Sequence, residues 1–184
     1  MPRPSRLAVI LWIALTLFSV LVLLAVNPAR EERAIHQQRL DNAAPALKPG
    51  YTIGQTFYST HAGLKAVAFT LVRYERPNDA PGDAVLLMHL ERQDKTGRLI
   101  TASVPIRGLV HNQEVRFDFS PLLDSRDAHY RMTLSTEQDY GLALWRSESD
   151  AYASGNMLEN DAATAGDIRF SVYYAFTLRD MLAD

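Results

Sequence analysis

The sequence contains no cysteine, and this absence excludes several classes of protein at once. Without thiols there is no disulfide framework, no thiolate zinc or iron–sulfur site and no cysteine nucleophile. An excess of one charge is also lacking, since 19 basic residues accompany 21 acidic ones. Arg3 and Arg6 lie at the amino terminus, so the rest of the chain has a formal charge of −4. A nucleic-acid-binding protein would carry a basic stripe or arm, so no nucleic-acid partner is expected.

Local catalytic signatures are missing as well. The five histidines form no HExxH or H-x-H motif, and the chain has no GxSxG, SxxK or glycine-rich phosphate loop. We therefore expect a non-catalytic protein without an organic cofactor. One enzymatic alternative stays open, a glycan-cleaving enzyme that uses two loop carboxylates among Glu148, Asp150, Asp161 and Asp167. Such a pair has to face each other at about 5 to 9.5 Å.

One long apolar run, Leu7–Val26, lies near the amino terminus. Its 20 residues contain no charge, proline or glycine, and only Thr16 and Ser19 are not apolar. As a helix the run is about 30 Å long, which matches the hydrocarbon core of a bilayer. It exceeds the apolar region of a signal peptide, and the nearby cleavage motif contains Pro28. We predict an uncleaved signal anchor, with a cleaved signal peptide as the alternative.

The anchor divides the chain into five predicted regions. These are a cytoplasmic tail (1–6), the anchor (7–26), a stalk and linker (27–49), a folded domain (50–178) and a carboxyl-terminal tail (179–184). Residues 29–40 are polar and helix-tolerant, which favours a solvated stalk helix over a helix lying on the membrane surface. Prolines and a glycine in 41–50 predict a linker. A long domain is translocated largely regardless of flanking charge, so we expect a single-pass protein of the bacterial inner membrane with a periplasmic domain.

From Tyr51 onward, apolar and polar residues alternate with a period of two, which is typical of strands with one face in a core. Eight segments are predicted as strands: 51–57, 67–71, 84–91, 98–106, 115–119, 130–134, 140–145 and 168–176. The nearly continuous apolar run 84–91 predicts a central strand covered on both faces. Pro105 predicts that the following strand ends at a sheet edge or bulge. The predicted fold is all-β, an antiparallel β-sandwich (jelly roll) of about eight strands after one transmembrane helix.

The segment 145–167 is a long polar connection between two strands, and long structured loops are often functional. Aromatic rings beside amides and carboxylates suit sugar recognition, because the ring stacks on a pyranose while polar groups bind its hydroxyls. The candidate ligand-binding residues are Trp145, Asp150, Tyr152, Asn156 and Asn160. The candidate ligands of a structural Ca²⁺ are Asp150, Asp161 and Asp167. Alternatively, Trp145 and Tyr152 plug one end of the sandwich and the acids cap turns.

Three groups of short motifs resemble an uncharacterised extracytoplasmic jelly-roll domain, similar to galactose-binding-like and carbohydrate-binding modules. The first group is Gly54-Gln55-Thr56-Phe57 with Ser59 and Gly63-Leu64. The second is Phe117-x-Phe119-x-Pro121-Leu122 with Asp124, Ser125 and Tyr130. The third is Leu144-Trp145, Tyr152, Gly155, Gly166-Asp167-Ile168, Phe170 and Tyr173-Tyr174. The resemblance covers residues 50–176. It implies that this chain, like other proteins with such domains, is a membrane protein of a surface-polysaccharide or glycosyltransferase system.

Three functions are compatible with these observations. The first is a membrane-anchored periplasmic module that binds a glycan or assists surface-polysaccharide assembly. Its partners would be the inner membrane, a glycan, and a membrane glycosyltransferase or polysaccharide-export protein. The second is a structural or recruitment subunit of a membrane complex. The third is the glycan-cleaving enzyme that uses loop carboxylates.

Overall fold

The computed structural model describes residues 5–26, 30–74, 81–94 and 99–176, with side chains at all of these except 7–8, 21–26, 30, 34–36, 99 and 176. The predicted tail 179–184 lies outside the described residues, as do 1–4 of the predicted cytoplasmic tail. So do residues 77–80 and 95–97, whose proline, asparagine and glycine content is typical of turns. Two compact units are present: one contains the helix, and the other is Glu31–Ala175.

Helix α1 comprises Arg6–Val26, 21 residues. Its described side chains from Val9 to Val20 are exposed. Over the residues that the structure describes, no helix is both long enough and apolar enough to cross a membrane. The membrane anchor and its orientation stay predictions from the sequence.

The second unit is a sandwich of two antiparallel sheets, which confirms the predicted fold class and is compatible with a jelly roll. The strands of the described chain are β1 (Arg30–His36), β2 (Asn42–Ala43), β3 (Ile53–Ser59), β4 (Leu64–Arg73), β5 (Val85–Arg92), β6 (Leu99–Pro105), β7 (Glu114–Leu122), β8 (Ala128–Ser135), β9 (Leu142–Ser147), β10 (Met157–Glu159), β11 (Ala162–Thr164), β12 (Asp167–Ile168) and β13 (Phe170–Phe176). The larger sheet runs β1-β13-β4-β9-β12, with β2 beside β9 and β7 beside β4. The smaller sheet runs β11-β10-β3-β8-β5-β6.

The core lies between the two sheets and is rich in aromatic rings. Phe57 stacks on Tyr130 at 5.5 Å between ring centroids and meets Phe170 of the other sheet at 6.1 Å. Phe69 packs edge-on against Phe117 at 6.1 Å. All five side chains are at most 2% exposed. Each such burial contributes roughly 1.5–3 kcal/mol, so the period-two pattern of these strands is the main source of the fold's stability.

Each of the eight predicted strands overlaps an observed strand, and the predicted strand 168–176 is divided into β12 and β13. The edge prediction for Pro105 is confirmed, because Pro105 ends β6 at the border of the smaller sheet. The prediction that 84–91 is covered on both faces was wrong, since in β5 buried and half-buried positions alternate. In the described part of the chain, β4 instead has buried residues on both of its faces.

The predicted stalk helix over 29–40 was also wrong, because residues 30–36 form strand β1 beside β13. Its charged residues are helix formers, but tertiary partners decide the outcome: Glu31 and Arg33 both find opposite charges on β7. The predicted linker is likewise part of the domain. It contains β2, and Ala44 and Leu47 are at most 2% exposed.

The long polar segment before β12 contains a hairpin that period-two analysis missed. Strands β10 and β11 pair antiparallel, and Glu159 faces Ala162 across a two-residue turn. Both turn residues have positive φ, 50° at Asn160 and 65° at Asp161. Positive φ at both positions is the signature of a type I′ turn, whose twist suits a hairpin. The short strands, three residues each, explain why alternation gave no signal.

Candidate functional site

The outer face of the larger sheet has a floor of small residues at its centre. Ala66, Ala68 and Thr70 of β4 occupy this face, because their strand neighbours Phe69 and Val67 point into the core. These three are nevertheless at most 4% exposed. Side chains from β1, β13 and β7 must therefore cover them.

A network of charged side chains forms this cover. Arg33 of β1 donates to Glu114 of β7 at 2.6 Å, and Arg116 of β7 donates to Glu31 of β1 at 2.9 Å. Lys65 lies 2.9 Å from Glu31, so that carboxylate has two cations. The hydrogen bond from Arg116 is the main reason that the pKa of Glu31 falls to about 2. The network joins β1 to β7 across two intervening strands.

Tyr173 of β13 lies beneath this network. Its hydroxyl donates to Glu114 at 2.8 Å, and the Arg116 guanidinium lies 4.4 Å above the ring centroid. Arg116 also donates to Asp118 at 2.7 Å. The acidic and basic side chains named above are thus paired with one another, and these ion pairs stabilise the sheet.

A second polar cluster is buried where the two sheets meet. Asp167 is 1% exposed, and its Oδ1 accepts the Gln55 amide at 2.8 Å. Its Oδ2 accepts the backbone amides of Ala151 and Tyr152 at 2.7 and 2.9 Å. Gln55 in turn accepts the backbone amide of Ile168 at 3.1 Å. The carboxylate fixes the start of the 148–156 loop to both sheets.

This geometry does not assemble the candidate calcium site. Both oxygens of Asp167 are occupied by N–H donors, Asp150 is exposed, and Asp161 lies 3.3 Å from Arg131. No three histidine or acidic side chains of the described residues lie close enough together to hold a metal ion. Asp150, Asp161 and Asp167 therefore lie in three different environments.

Three of the candidate ligand-binding residues have structural partners. The Tyr152 ring packs edge-on against Phe170 at 5.2 Å, and its hydroxyl accepts the Tyr58 backbone amide at 3.2 Å. Burial raises the pKa of Tyr152. Asn156 pairs with Thr56 through its backbone, at 2.9 Å from the Thr56 amide to its carbonyl. Asn160 forms the hairpin turn, and its side chain accepts the Thr52 amide at 3.0 Å.

Trp145 is half-buried and lies on the outer face of the larger sheet, whereas Asp150, Asn156 and Asn160 are exposed in loops and turns. Its strand neighbour Arg146 reaches Glu159 of the smaller sheet at 3.8 Å, so Trp145 points to the outer face. The indole Nε1 donates to Asn112 Oδ1 at 2.7 Å, and the ring meets His111 edge-on at 6.0 Å. Trp145, His111 and Asn112, together with the exposed Val110, are called the Trp145 patch below.

Side-chain hydrogen-bond donors of His111 and Asn112, in the Trp145 patch, have no acceptor among the residues that the structure describes. His111 Nδ1 accepts the backbone amide of Arg73 at 3.2 Å, which leaves the proton of the neutral ring on Nε2. Asn112 accepts from the indole through Oδ1, so its Nδ2 group keeps two donors. Asn112 also has a φ of 63°, a conformation that asparagine tolerates. An aromatic face bordered by N–H donors is suited to a polar ring ligand.

Sequence reasoning missed His111, Asn112 and one more residue of this face, Arg169. The Arg169 amide donates to the Trp145 carbonyl at 2.7 Å, so the two residues are direct cross-strand neighbours. On its other side the Arg169 carbonyl accepts the Thr70 amide at 3.4 Å. Nothing in the local sequence marks these residues, because they meet Trp145 only through strand pairing.

Three of the four carboxylates that the glycan-cleaving alternative requires already have partners inside the protein: Glu148, Asp161 and Asp167. Glu148 accepts from Asn42 at 2.5 Å, while Asp167 is held by three N–H donors. Because both oxygens of Asp167 already accept N–H donors inside the protein, neither oxygen faces a second carboxylate across a substrate.

No protein-family description matches the chain, and no curated protein is similar enough to count as a relative.

Proposed function

We propose that this protein is a non-catalytic, membrane-anchored module that binds a glycan through the Trp145 patch. In this proposal α1 anchors the chain in the bacterial inner membrane, and the sandwich lies on the periplasmic side. The module then assists a membrane glycosyltransferase or export protein in cell-surface polysaccharide assembly. The jelly-roll resemblance of residues 50–176 points to the same class of system.

The observation that carries the proposal is the geometry of Trp145. Its indole is fixed by Asn112 at 2.7 Å and by His111 at 6.0 Å, yet it lies on the outer face. A fixed ring loses little conformational entropy when a sugar stacks on it. The neighbouring donors, His111 Nε2 and Asn112 Nδ2, are placed to bind hydroxyl oxygens. Tyr152, in contrast, is committed to the backbone of β3.

The anchor in this proposal is argued from the sequence. Leu7–Val26 has the length and the lack of charge that a bilayer span requires. We expect the full chain to remain in the membrane pellet after alkaline carbonate extraction. Release of the intact chain into the supernatant would refute the anchor without touching the glycan-binding proposal.

The direct test uses the full chain in detergent micelles and measures thermal unfolding against a panel of bacterial oligosaccharides. A ligand that binds only the native state increases the free energy of unfolding by RT ln(1 + [L]/Kd), and the unfolding midpoint rises accordingly. We expect one class of saccharide to raise it. Trp145→Ala should abolish the shift, and Trp145→Phe should retain part of it.

The matched control is Tyr152→Phe, which removes a hydroxyl that is bonded to the backbone of Tyr58 and lies outside the Trp145 patch. This variant should respond to the saccharide as the unmodified chain does. If no saccharide shifts the midpoint, or if Trp145→Ala shifts as strongly as the parent, glycan binding at this patch is refuted.

The recruitment alternative is supported by a separate observation on α1. Leu11, Trp12, Leu15 and Phe18 line an apolar depression beside Ala14. A knob of a second membrane helix fits such a depression. Crosslinking from a photoreactive residue at position 15 in membranes would give one defined protein adduct under this alternative, and lipid adducts alone if α1 is only an anchor.

A further inference from the structure

Arg169 on the outer face of the larger sheet has an unsatisfied hydrogen-bonding group. Its residue neighbours Ile168 and Phe170 point into the core at 0% and 1% exposure, so the Arg169 side chain takes the outer face. It is half-buried, and its Nε atom is buried without a hydrogen-bond partner. A buried N–H without an acceptor is unfavourable, roughly 1–3 kcal/mol and more for a charged group. Because Nε itself is enclosed, an external acceptor can reach this guanidinium only through its terminal Nη groups.

The other described cations of this face have acceptors. Arg33 is bonded to Glu114, and Lys65 and Arg116 are bonded to Glu31. The carboxylate nearest to Arg169 in its row is Glu114, which faces Thr70 across β4 and β7. Both oxygens of Glu114 are engaged, one by Arg33 at 2.6 Å and one by the Tyr173 hydroxyl at 2.8 Å.

Arg169 is therefore left without a carboxylate among the described residues, although the surrounding charges are matched. The backbone pairing of Arg169 with Trp145 places the two side chains at neighbouring positions of the same sheet face. Opposite residues of an antiparallel pair have Cβ atoms about 4.5–5.5 Å apart. One ligand of monosaccharide size can contact both side chains at that spacing.

We propose that the glycan bound at the Trp145 patch carries an anionic group, a carboxylate or a phosphate, and that Arg169 binds this group. The inference rests on the proposed function and specifies the class of its ligand. The sugar ring stacks on Trp145, and the anionic oxygens accept hydrogen bonds from the guanidinium. Guanidinium groups bind carboxylate and phosphate oxygens in a bidentate fashion, and they are weakly hydrated, so partial burial favours the ion pair.

The experiment compares acidic and neutral saccharides on the full chain in detergent micelles by titration calorimetry. The probes are an oligogalacturonate, a neutral galactose oligomer of matched length, galactose 6-phosphate and inorganic phosphate. The variants are Arg169→Gln, Arg169→Lys and Arg107→Gln. Arg107 is an exposed arginine in the turn after β6, so its variant removes the same charge elsewhere.

We expect the acidic saccharides to bind about 10-fold or more tightly than the neutral oligomer. Arg169→Gln should remove this preference, so that this variant binds the acidic and the neutral oligomers with equal affinity. Arg169→Lys should retain part of it, because the charge remains without the planar fork. Arg107→Gln should behave as the parent. Added salt should weaken the acidic preference in the parent and have no such effect in Arg169→Gln.

Failure of this inference differs from failure of the proposed function. If acidic and neutral saccharides bind equally, and Trp145→Ala abolishes both, the glycan site stands and the anionic class is refuted. If no saccharide binds, both proposals are refuted. Binding of galactose 6-phosphate but not oligogalacturonate assigns the phosphate, and the reverse assigns the carboxylate. Binding of inorganic phosphate alone, without any saccharide, would overturn the proposal of an acidic glycan.

Discussion

Replacing Asp167 with asparagine should destabilise the sandwich although the side-chain volume is unchanged. The carboxylate accepts three hydrogen bonds, one from Gln55 and two from the amides of Ala151 and Tyr152. An asparagine keeps one acceptor, which can face the two backbone amides. The NH2 group of the new asparagine then faces the NH2 group of Gln55, and two donors oppose each other. If the Gln55 amide is rotated by 180°, its NH2 group instead faces the backbone N–H of Ile168, which the Gln55 oxygen accepts at 3.1 Å in the parent. No orientation of the two amides satisfies every donor.

The expected loss follows from this conflict. Asp167 is 1% exposed and Gln55 is 0% exposed, so a displaced donor has no direct access to solvent. One buried unsatisfied donor and the loss of charge on the remaining acceptor together cost about 3 kcal/mol. For a domain of this size, such a loss lowers the unfolding midpoint by about 6–12 °C. This is a large fraction of a typical stability of about 5–15 kcal/mol.

The assay is thermal and urea unfolding of the full chain in detergent micelles, followed by circular dichroism. Asp150→Asn is the matched control, because Asp150 is exposed in the same loop and should change stability by less than about 0.5 kcal/mol. The double variant Gln55→Glu/Asp167→Asn should recover much of the loss. The carboxylate introduced at position 55 would accept both the Ile168 amide and the side-chain amide introduced at position 167. Only the longer hydrogen bond from Gln55 to the Thr56 carbonyl, at 3.3 Å, would be lost.

Two results would refute this reasoning. One is an Asp167→Asn variant as stable as the control, which would show that the buried charge is dispensable. The other is a double variant no more stable than Asp167→Asn, which would show that the loss arises elsewhere than in the Gln55–Asp167 pair.

The remaining predictions concern charge, a close backbone approach and a turn. The Arg116 hydrogen bond lowers the pKa of Glu31 from 4.5 to about 2, so the ion pair stabilises the fold above pH 4.5 and this contribution is lost as the pH falls towards 2. Glu31 is partly exposed, so screening limits the effect to about 1 kcal/mol; the stability difference between parent and Glu31→Gln should vanish by pH 2 in urea titrations. Gly155→Ala would place a Cβ 1.8 Å from a backbone oxygen of β3 and should lower the free energy of unfolding by more than about 2 kcal/mol in the same titrations. In the control Gly82→Ala the new Cβ meets only one flexible side chain at 3.9 Å, so stability should not change. Equal stability of the two variants would contradict the close approach of Gly155 to β3. Asp161→Gly converts the type I′ turn to Asn-Gly, so the free energy of unfolding should stay unchanged or rise by about 0.5 kcal/mol. A large loss would instead show that the ion pair between Asp161 and Arg131 stabilises the hairpin.

Much of the fold could be predicted from the sequence, because alternation with a period of two records which side of a strand meets a core. The phenylalanines of β7 and β13 alternate with polar residues, and the predicted bounds of both strands lie within a few residues of the observed ones. Strand β1 was missed because Glu31 and Arg33 favour a helix when taken alone. They become strand residues only because Arg116 and Glu114 lie on β7 to pair with them.

Of the residues in the candidate site, only Trp145 could be predicted from the sequence. Trp145 stood out as an aromatic residue at the end of a strand. Its partner Asn112 lies 33 residues earlier, and the two meet only because Trp145 reaches from β9 to the turn before β7. Asn160 and Asp161 resembled ligand residues, but their positive φ values place them in a hairpin turn.

The sequence by itself determined the apolar run that predicts the anchor, the all-β class, and the strand faces that fill the core, since each depends on residues close together along the chain. Only the tertiary structure decided that Asp167 is buried and bonded through both oxygens, and that Arg169 lies beside Trp145 with no acceptor among the described residues. Those properties depend on strand register, because the register places residues that are distant in sequence opposite each other. It thereby decides which side-chain donors and acceptors find partners.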